Sequence, residues 1–323
     1  MPETDTPTAT TAKVPAKIAA AYLAALHGSA LPGEGDDMDK AALADASQFA
    51  GRASLDRTAD TPSLLLEPMA ADGTDRRMRL VIVNDDMPFL VDSTSQMVAA
   101  QGLAVHRILH PVVAVKRDAK GQLLEAGEGP ARESVIYMEL ERGDARARRR
   151  LLDALEAALR DVRAAVRDWR AMRAAMLADA AMRVDGEAAE LLRWFEGGAM
   201  TQLGHEWRTR DGKVQDPLGV SESSESQLLF PAALDAAFAW FDGGGQAPLL
   251  ITSNRLSAVH RRVLLDLVIV PEMKGKKVDR LSIHAGLWTS AALSARPDKV
   301  PVLRAQLDAL MTKFGFDPAG HAG

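Results

Sequence analysis

The run Asn84-Asp85-Asp86-Met87-Pro88-Phe89 sets two adjacent carboxylates directly after an apolar, β-branched segment at 78–83. Pro88 fits the first turn of a helix, where a missing N–H costs nothing. The spacing predicts a strand, a compact acidic turn and a helix that runs to Gln101 and stops at Gly102. Two kinds of chemistry suit such a turn. Asp85 and Asp86 can cap the free backbone donors and meet the positive end of the helix dipole, worth about 0.5–2 kcal/mol. Alternatively the turn holds an amino-acid effector, its carboxylates facing the ligand ammonium while the N–H groups meet the ligand carboxylate.

Other residue types that could do chemistry lack the spacing for it. His106 and His110 share one face of a predicted strand, but four residues at ~3.3 Å each part them by ~13 Å, too far for one metal ion. His205-Glu206-Trp207 lacks the second histidine of a zinc-protease helix. His260, Asp266 and Ser253 are triad types without a strained nucleophile turn. Gly127-Glu128-Gly129-Pro130 and Gly243-Gly244-Gly245 fall short of the three-glycine dinucleotide fingerprint, and Pro130 removes one donor. The expectation is no catalytic residue, no metal and no cofactor in this chain.

The elements that position the acidic turn follow from periodicity. A second strand is predicted over 103–117, a turn over 118–121, a third strand over 135–141, and a long helix from Asp144 with Leu151, Leu155, Leu159, Val162, Val166 and Trp169 at three- and four-residue steps. The order β-α-β-β-α is that of a ferredoxin-like split unit. Both helices are expected on one face of its sheet. Before it, residues 1–63 read as a Thr- and Pro-rich disordered tail and short alanine-rich helices broken at Pro32-Gly33, with Asp36 and Asp37 able to start the next helix. After it, Asp185 caps a helix carrying Leu191, Leu192 and Phe195. Strands follow at 200–208, 249–254, 264–270 and 281–288, with a hairpin signal at Asp211-Gly212, a polar loop at 221–226, and a closing helix with Leu303, Leu307, Leu310 and Phe314. The fold class is α+β, with units at 64–180 and 185–323.

Composition narrows the partners. The 323 residues are 47% hydrophobic with a net charge of −5, enough for packed cores and no bulk attraction to nucleic acid or an anionic membrane. The arginines at 146 and 148–150 share their helix with Asp153, Glu156 and Asp161, a solvated face of mixed sign. Absence of cysteine excludes disulfides and thiolate chemistry and is compatible with the cytoplasm. The apolar run 18–26 only faintly imitates a signal peptide, since Glu3 and Asp5 sit where its basic leader belongs, and no run reaches the ~20 residues of a membrane span.

The motif NDDMPFLVDS, with GLAVHRILHPV and DVRAAVRDWRAM after it, resembles the amino-terminal part of the large bacterial NAD-specific glutamate dehydrogenases. SNRLSAVHRRVLLDLVIV around Val259, His260, Arg261 and Asp266, then GLWTSAALSARPDKVPVLR with Thr289 and Ser290, and the terminal GFDPAGHAG follow the same family in the same order. The resemblance implies an ACT-type first unit with the amino-acid site at the acidic turn, and a PAS-like second unit. Members of that family are several times longer, and their dehydrogenase domain lies downstream. The implied role is a non-catalytic regulatory and assembly region of an enzyme that converts L-glutamate, NAD and water to 2-oxoglutarate, ammonium and NADH. Its partners would be the remaining domains or identical subunits of a homo-oligomer. The alternative is a free-standing amino-acid-sensing regulatory protein. One position departs from the usual ACT pattern: the residue after the proline is commonly glycine, and here it is Phe89, whose ring would fill a ligand's space.

Overall fold

The computed structural model describes residues 13–29, 38–69, 76–183, 185–223, 228–275 and 277–315. The chain divides into two compact units, Met1–Leu159 and Arg160–Gly323. The expected disordered tail at 1–12, the break at Pro32 with Asp36 and Asp37, and the terminal motif from Phe316 lie outside the described residues. The polar loop at 221–226 lies there in part, while Val220–Glu222 forms a 3-10 turn.

The first unit contains α1 (Ala16–Ser29), α2 (Lys40–Ser54), β1 (Ser63–Pro68), β2 (Arg77–Asp85), α3 (Leu90–Ala100), β3 (Val105–Leu109), β4 (Val112–Arg117), β5 (Leu123–Ala126), β6 (Ala131–Glu141) and the first half of α4 (Ala145–Ala181). Its six strands form one antiparallel sheet in the order β1-β2-β6-β4-β5, with β3 also on β6. The expected single strand over 103–117 is two strands laid end to end along β6. His110 and Pro111 part them, because proline offers no ladder donor. Strands β1 and β5 were not anticipated.

Alternation along β2 and β6 divides the core. Val81, Val83, Val135 and Tyr137 join Ile18, Tyr22 and Leu26 of α1 and Phe49 and Ala50 of α2 in one apolar cluster. The run that imitates a signal peptide is therefore a core-facing helix. Asp39 starts α2, accepting the Ala42 N–H at 2.7 Å. Leu80, Ile82, Ile136 and Met138 are equally buried and point to the opposite face. Leu90, Met97 and Val98 of α3 and Leu151, Leu155 and Leu159 of α4 are buried outside the first cluster, which leaves these two helices to cover that second face.

The second unit continues from α4 into α5 (Gly186–Trp194), a π turn (Phe195–Ala199), β7 (Met200–Thr209), β8 (Val214–Gly219), α6 (Pro231–Asp242), β9 (Leu249–Leu256), β10 (Leu264–Lys274), β11 (Lys277–Trp288), α7 (Ser290–Leu293) and α8 (Leu303–Phe314). Its five strands are antiparallel in the order β8-β7-β11-β10-β9. Asp185 caps α5 as expected, accepting the Glu187 N–H at 3.0 Å. Helix α6 was not anticipated; it buries Leu234, Ala237, Phe238 and Phe241 at helical spacing. In α4 the buried row passes through Val162, Ala165, Met172 and Met176, while the indole of Trp169 is 42% exposed between Arg170 and Arg173. Helix α8 buries no residue, so its row of Leu303, Leu307, Leu310 and Phe314 is open. The architecture is α+β with antiparallel sheets, and no described helix is long and apolar enough to cross a membrane.

Candidate functional site

The acidic turn is anchored from behind by a buried charge network. Asp85 ends β2 and stands directly opposite Glu133 of β6, two like charges in the position where they repel most. Arg57, from the segment after α2, lies between them: its Nη2 donates to Asp85 at 2.5 Å and to Glu133 at 2.6 Å, and its Nε to Glu133 at 3.0 Å. Arg117 of β4 grips the same Glu133 with both fork nitrogens, at 2.7 and 2.8 Å. Glu133 is 1% exposed and Arg57 4%, so these charges depend on each other for compensation rather than on water. Hydrogen bonds to the two carboxylates hold the Arg57 guanidinium above its ordinary pKa against the lowering effect of burial. Sequence reading missed Arg57, Arg117 and Glu133, which lie far from the turn in sequence and meet only across the sheet.

The helix after the turn begins at Leu90 rather than Pro88, and Phe89 stands in the cap position without a side-chain capping bond. Phe89 has φ 72° and ψ 0°, the left-handed conformation that glycine adopts freely. Its half-buried ring stands over a backbone shape suited to glycine. Phe89→Gly and Phe89→Ala both delete the ring, but only glycine also removes the backbone strain. Phe89→Gly is therefore expected to be the more stable of the two by about 1 kcal/mol, read from urea unfolding. Equal stabilities would show that the left-handed backbone carries no cost here.

The second set of sequence-selected residues builds a corner of the other unit. Val259, His260 and Arg261 form a tight turn between β9 and β10, with Val259 fully buried and His260 at φ 63°. Arg261 donates to the carbonyl of Trp288. Asp266 of β10 is pushed above the usual carboxylate range by burial, opposed by hydrogen bonds from Thr252 and Trp288 and by the Arg261 charge. Thr289 caps α7, accepting the Ala292 N–H at 3.3 Å, and donates to the Gly198 carbonyl at 2.8 Å; Ser290 opens that helix. Beside this corner is an open, mostly apolar groove of about 580 Å³, walled by Trp194, Trp240, Leu249, Trp288, Leu293 and Val302. The corner positions Trp288, and the groove offers an apolar surface rather than reacting groups.

The remaining sequence-selected groups have structural places. His110 Nε2 lies 2.7 Å from Ser134 Oγ, while His106 is exposed on β3. Gly127–Pro130 turns β5 into β6, and Gly243–Gly245 ends α6, so neither glycine cluster opens a helix where a pyrophosphate would sit. Ser253 Oγ donates to the Leu228 carbonyl.

A family model described as the glutamate dehydrogenase ACT1 domain matches residues 20–155, from within α1 to the middle of the first unit's part of α4. Most of the first unit is thus similar to the glutamate dehydrogenase ACT1 domain. About three quarters of the chain is similar to NAD-specific glutamate dehydrogenases. That of Halomonas elongata is 30% identical over 278 residues, covering 76% of this chain and 17% of that protein. That of Pseudomonas aeruginosa is 29% identical over 277 residues, covering 75% and 17%. The chain thus spans a small part of the length of the relatives it matches. All of α2 and the greater part of α1 fall inside the matched region, in agreement with their place in the sheet's core.

Proposed function

We propose that this chain serves as the amino-terminal regulatory and assembly region of an NAD-specific glutamate dehydrogenase and is itself non-catalytic. The observation that carries this reading is an ACT1 domain inside a chain that corresponds to 17% of its relatives. The oxidation of L-glutamate by NAD would belong to the rest of such an enzyme, with the remaining domains or identical subunits of a cytoplasmic homo-oligomer as partners. The second unit is read as PAS-like; the order β8-β7-β11-β10-β9, with its first and last strands adjacent at the centre and α6 between its second and third, supports that. The open row on α8 and the apolar groove beside it support an assembly role. The purified chain is expected to show neither glutamate-dependent NAD reduction nor NAD binding. A saturable change in NADH fluorescence at micromolar cofactor would overturn this.

The regulatory half of the reading is tested at the turn Asn84-Asp85-Asp86-Met87-Pro88-Phe89. Asp85 already shares its carboxylate with Arg57, leaving Asp86 as the exposed acid and Phe89 as the half-buried residue that precedes the helix. A thermal-shift screen of the twenty amino acids is expected to give weak or no stabilisation of the wild type. A ligand held at about 100 times its dissociation constant would stabilise by ~2.7 kcal/mol. Phe89→Gly should keep any response present. A strong wild-type response abolished by Phe89→Gly would make the ring a ligand contact and refute its role as a plug.

A further inference from the structure

Three metal-ligating side chains from distant stretches meet in the interior of the second unit. Asp179 comes from α4, His205 from β7 and His284 from β11. The two histidines stand directly opposite each other in the β7–β11 register, with ring centroids 4.7 Å apart. One ligand atom from each residue lies within 4.8 Å of the other two. Ser282, two residues before His284, places its Oγ among them: 2.6 Å from Asp179 Oδ2, 2.9 Å from His205 Nε2 and 3.3 Å from His284 Nε2. His284 Nε2 is 2.8 Å from the same Asp179 oxygen. All four side chains are buried.

Their hydrogen bonds do not balance internally. Asp179 Oδ2 takes the serine hydroxyl and one imidazole within hydrogen-bond distance, while Arg183, four residues on, acts on the carboxylate only through its charge. A buried carboxylate is held at a cost unless its oxygens are bonded or compensated. A metal takes imidazole in its neutral form, through either ring nitrogen. Nδ1 of each ring is buried without a hydrogen-bond partner.

We propose that Asp179, His205 and His284 form a structural site for a single divalent transition-metal ion of the zinc type. Two imidazoles and a carboxylate are a borderline-soft donor set that suits zinc and cobalt and disfavours the oxygen-seeking magnesium and calcium. The ion places positive charge directly on the carboxylate and on both rings. Rotation of the Ser282 side chain vacates the centre of the group for the ion, and the hydroxyl is not one of its ligands. Enclosure in the interior assigns the site to holding α4 against the β7–β11 pair rather than to catalysis.

The test uses the tag-free full chain, stripped with a chelator and titrated with Zn²⁺ and Co²⁺. The expected result is one ion per chain, a rise in melting temperature with Zn²⁺, and visible absorption from bound Co²⁺. Co²⁺ should also quench Trp207, whose ring meets His205 edge-on at 5.5 Å. His205→Gln and His284→Gln should each weaken binding by at least about 100-fold, taking the upper loss seen for supporting groups around a metal as the floor for a direct ligand. Ser282→Ala, which removes the hydroxyl and keeps the three ligands, should retain the ion. This arm keeps the test decisive if the histidine variants fail to fold. No stoichiometric binding by the wild type, loss of binding in Ser282→Ala, or binding that survives in the folded double variant His205→Gln/His284→Gln would each overturn the proposal.

Discussion

Replacing Arg57 with alanine is expected to cost the first unit about 3–5 kcal/mol, the range for removing one partner of a buried ion pair. The substitution leaves Asp85 and Glu133 facing each other across β2 and β6 with half their compensating charge gone. Arg117 stays on Glu133 with both fork nitrogens, which sets the loss toward the lower end of that range. Arg57 also donates to the Thr61 carbonyl, so the segment leading into β1 loses an anchor as well. The measurement is urea unfolding followed by circular dichroism, with hydrogen exchange on peptides from β2 and β6 to localise the effect. Because the pair is buried, the loss should change little between low and moderate salt. A loss below about 1 kcal/mol, the size of an exposed pair, would show that water replaces Arg57 and that the network is not a structural anchor of the turn.

What sequence reading recovered and what it missed divide along a physical line. Elements whose signal is local were legible: the strand expected over 78–83, which the structure extends through Asp85, the long helix from its apolar row, the Asp185 cap and the Asp211-Gly212 hairpin all rest on residues within a few positions of each other. The split of the second strand was misread because β-branched residues run on both sides of Pro111, and only pairing with β6 shows where the ladder breaks. The N-terminal helices were seen, but not their place in the core, since an alanine-rich face gives a weak apolar pattern until Tyr22 and Phe49 are seen against the sheet.

The groups of greatest chemical interest were the least legible. Arg57 and Glu133 are separated by 76 residues, and Asp179 and His284 by 105. His205 was weighed only against a helical zinc spacing, whereas its partners are a cross-strand neighbour and a residue from an earlier helix. No short-range pattern announces such meetings. The one local clue was at Phe89, where a bulky residue stands in a position that resemblance assigns to glycine and the backbone adopts the glycine conformation.

Gly219→Ala is expected to cost the second unit several kcal/mol, because two separate penalties coincide there. Gly219 has φ 60° and ψ −134°, a conformation that residues with a Cβ scarcely adopt. A Cβ at this point would also lie 2.2 Å from the Leu203 carbonyl oxygen, which is backbone and cannot rotate away. Relief requires β8 to withdraw from β7, where Gly219 pairs with Gly204, and breaks the 2.9 Å bond from the Gly219 N–H to Asp168. Gly244→Ala supplies the control, since Gly244 has φ 93° with nothing within 4 Å of an added Cβ. That variant should lose only the conformational part, about 1 kcal/mol. All five tryptophans, at 169, 194, 207, 240 and 288, lie in the second unit, so intrinsic fluorescence in a urea titration reports its unfolding directly. Equal losses in the two variants would mean that β8 yields without cost, and that the close approach of Gly219 to β7 does not hold that edge of the sheet.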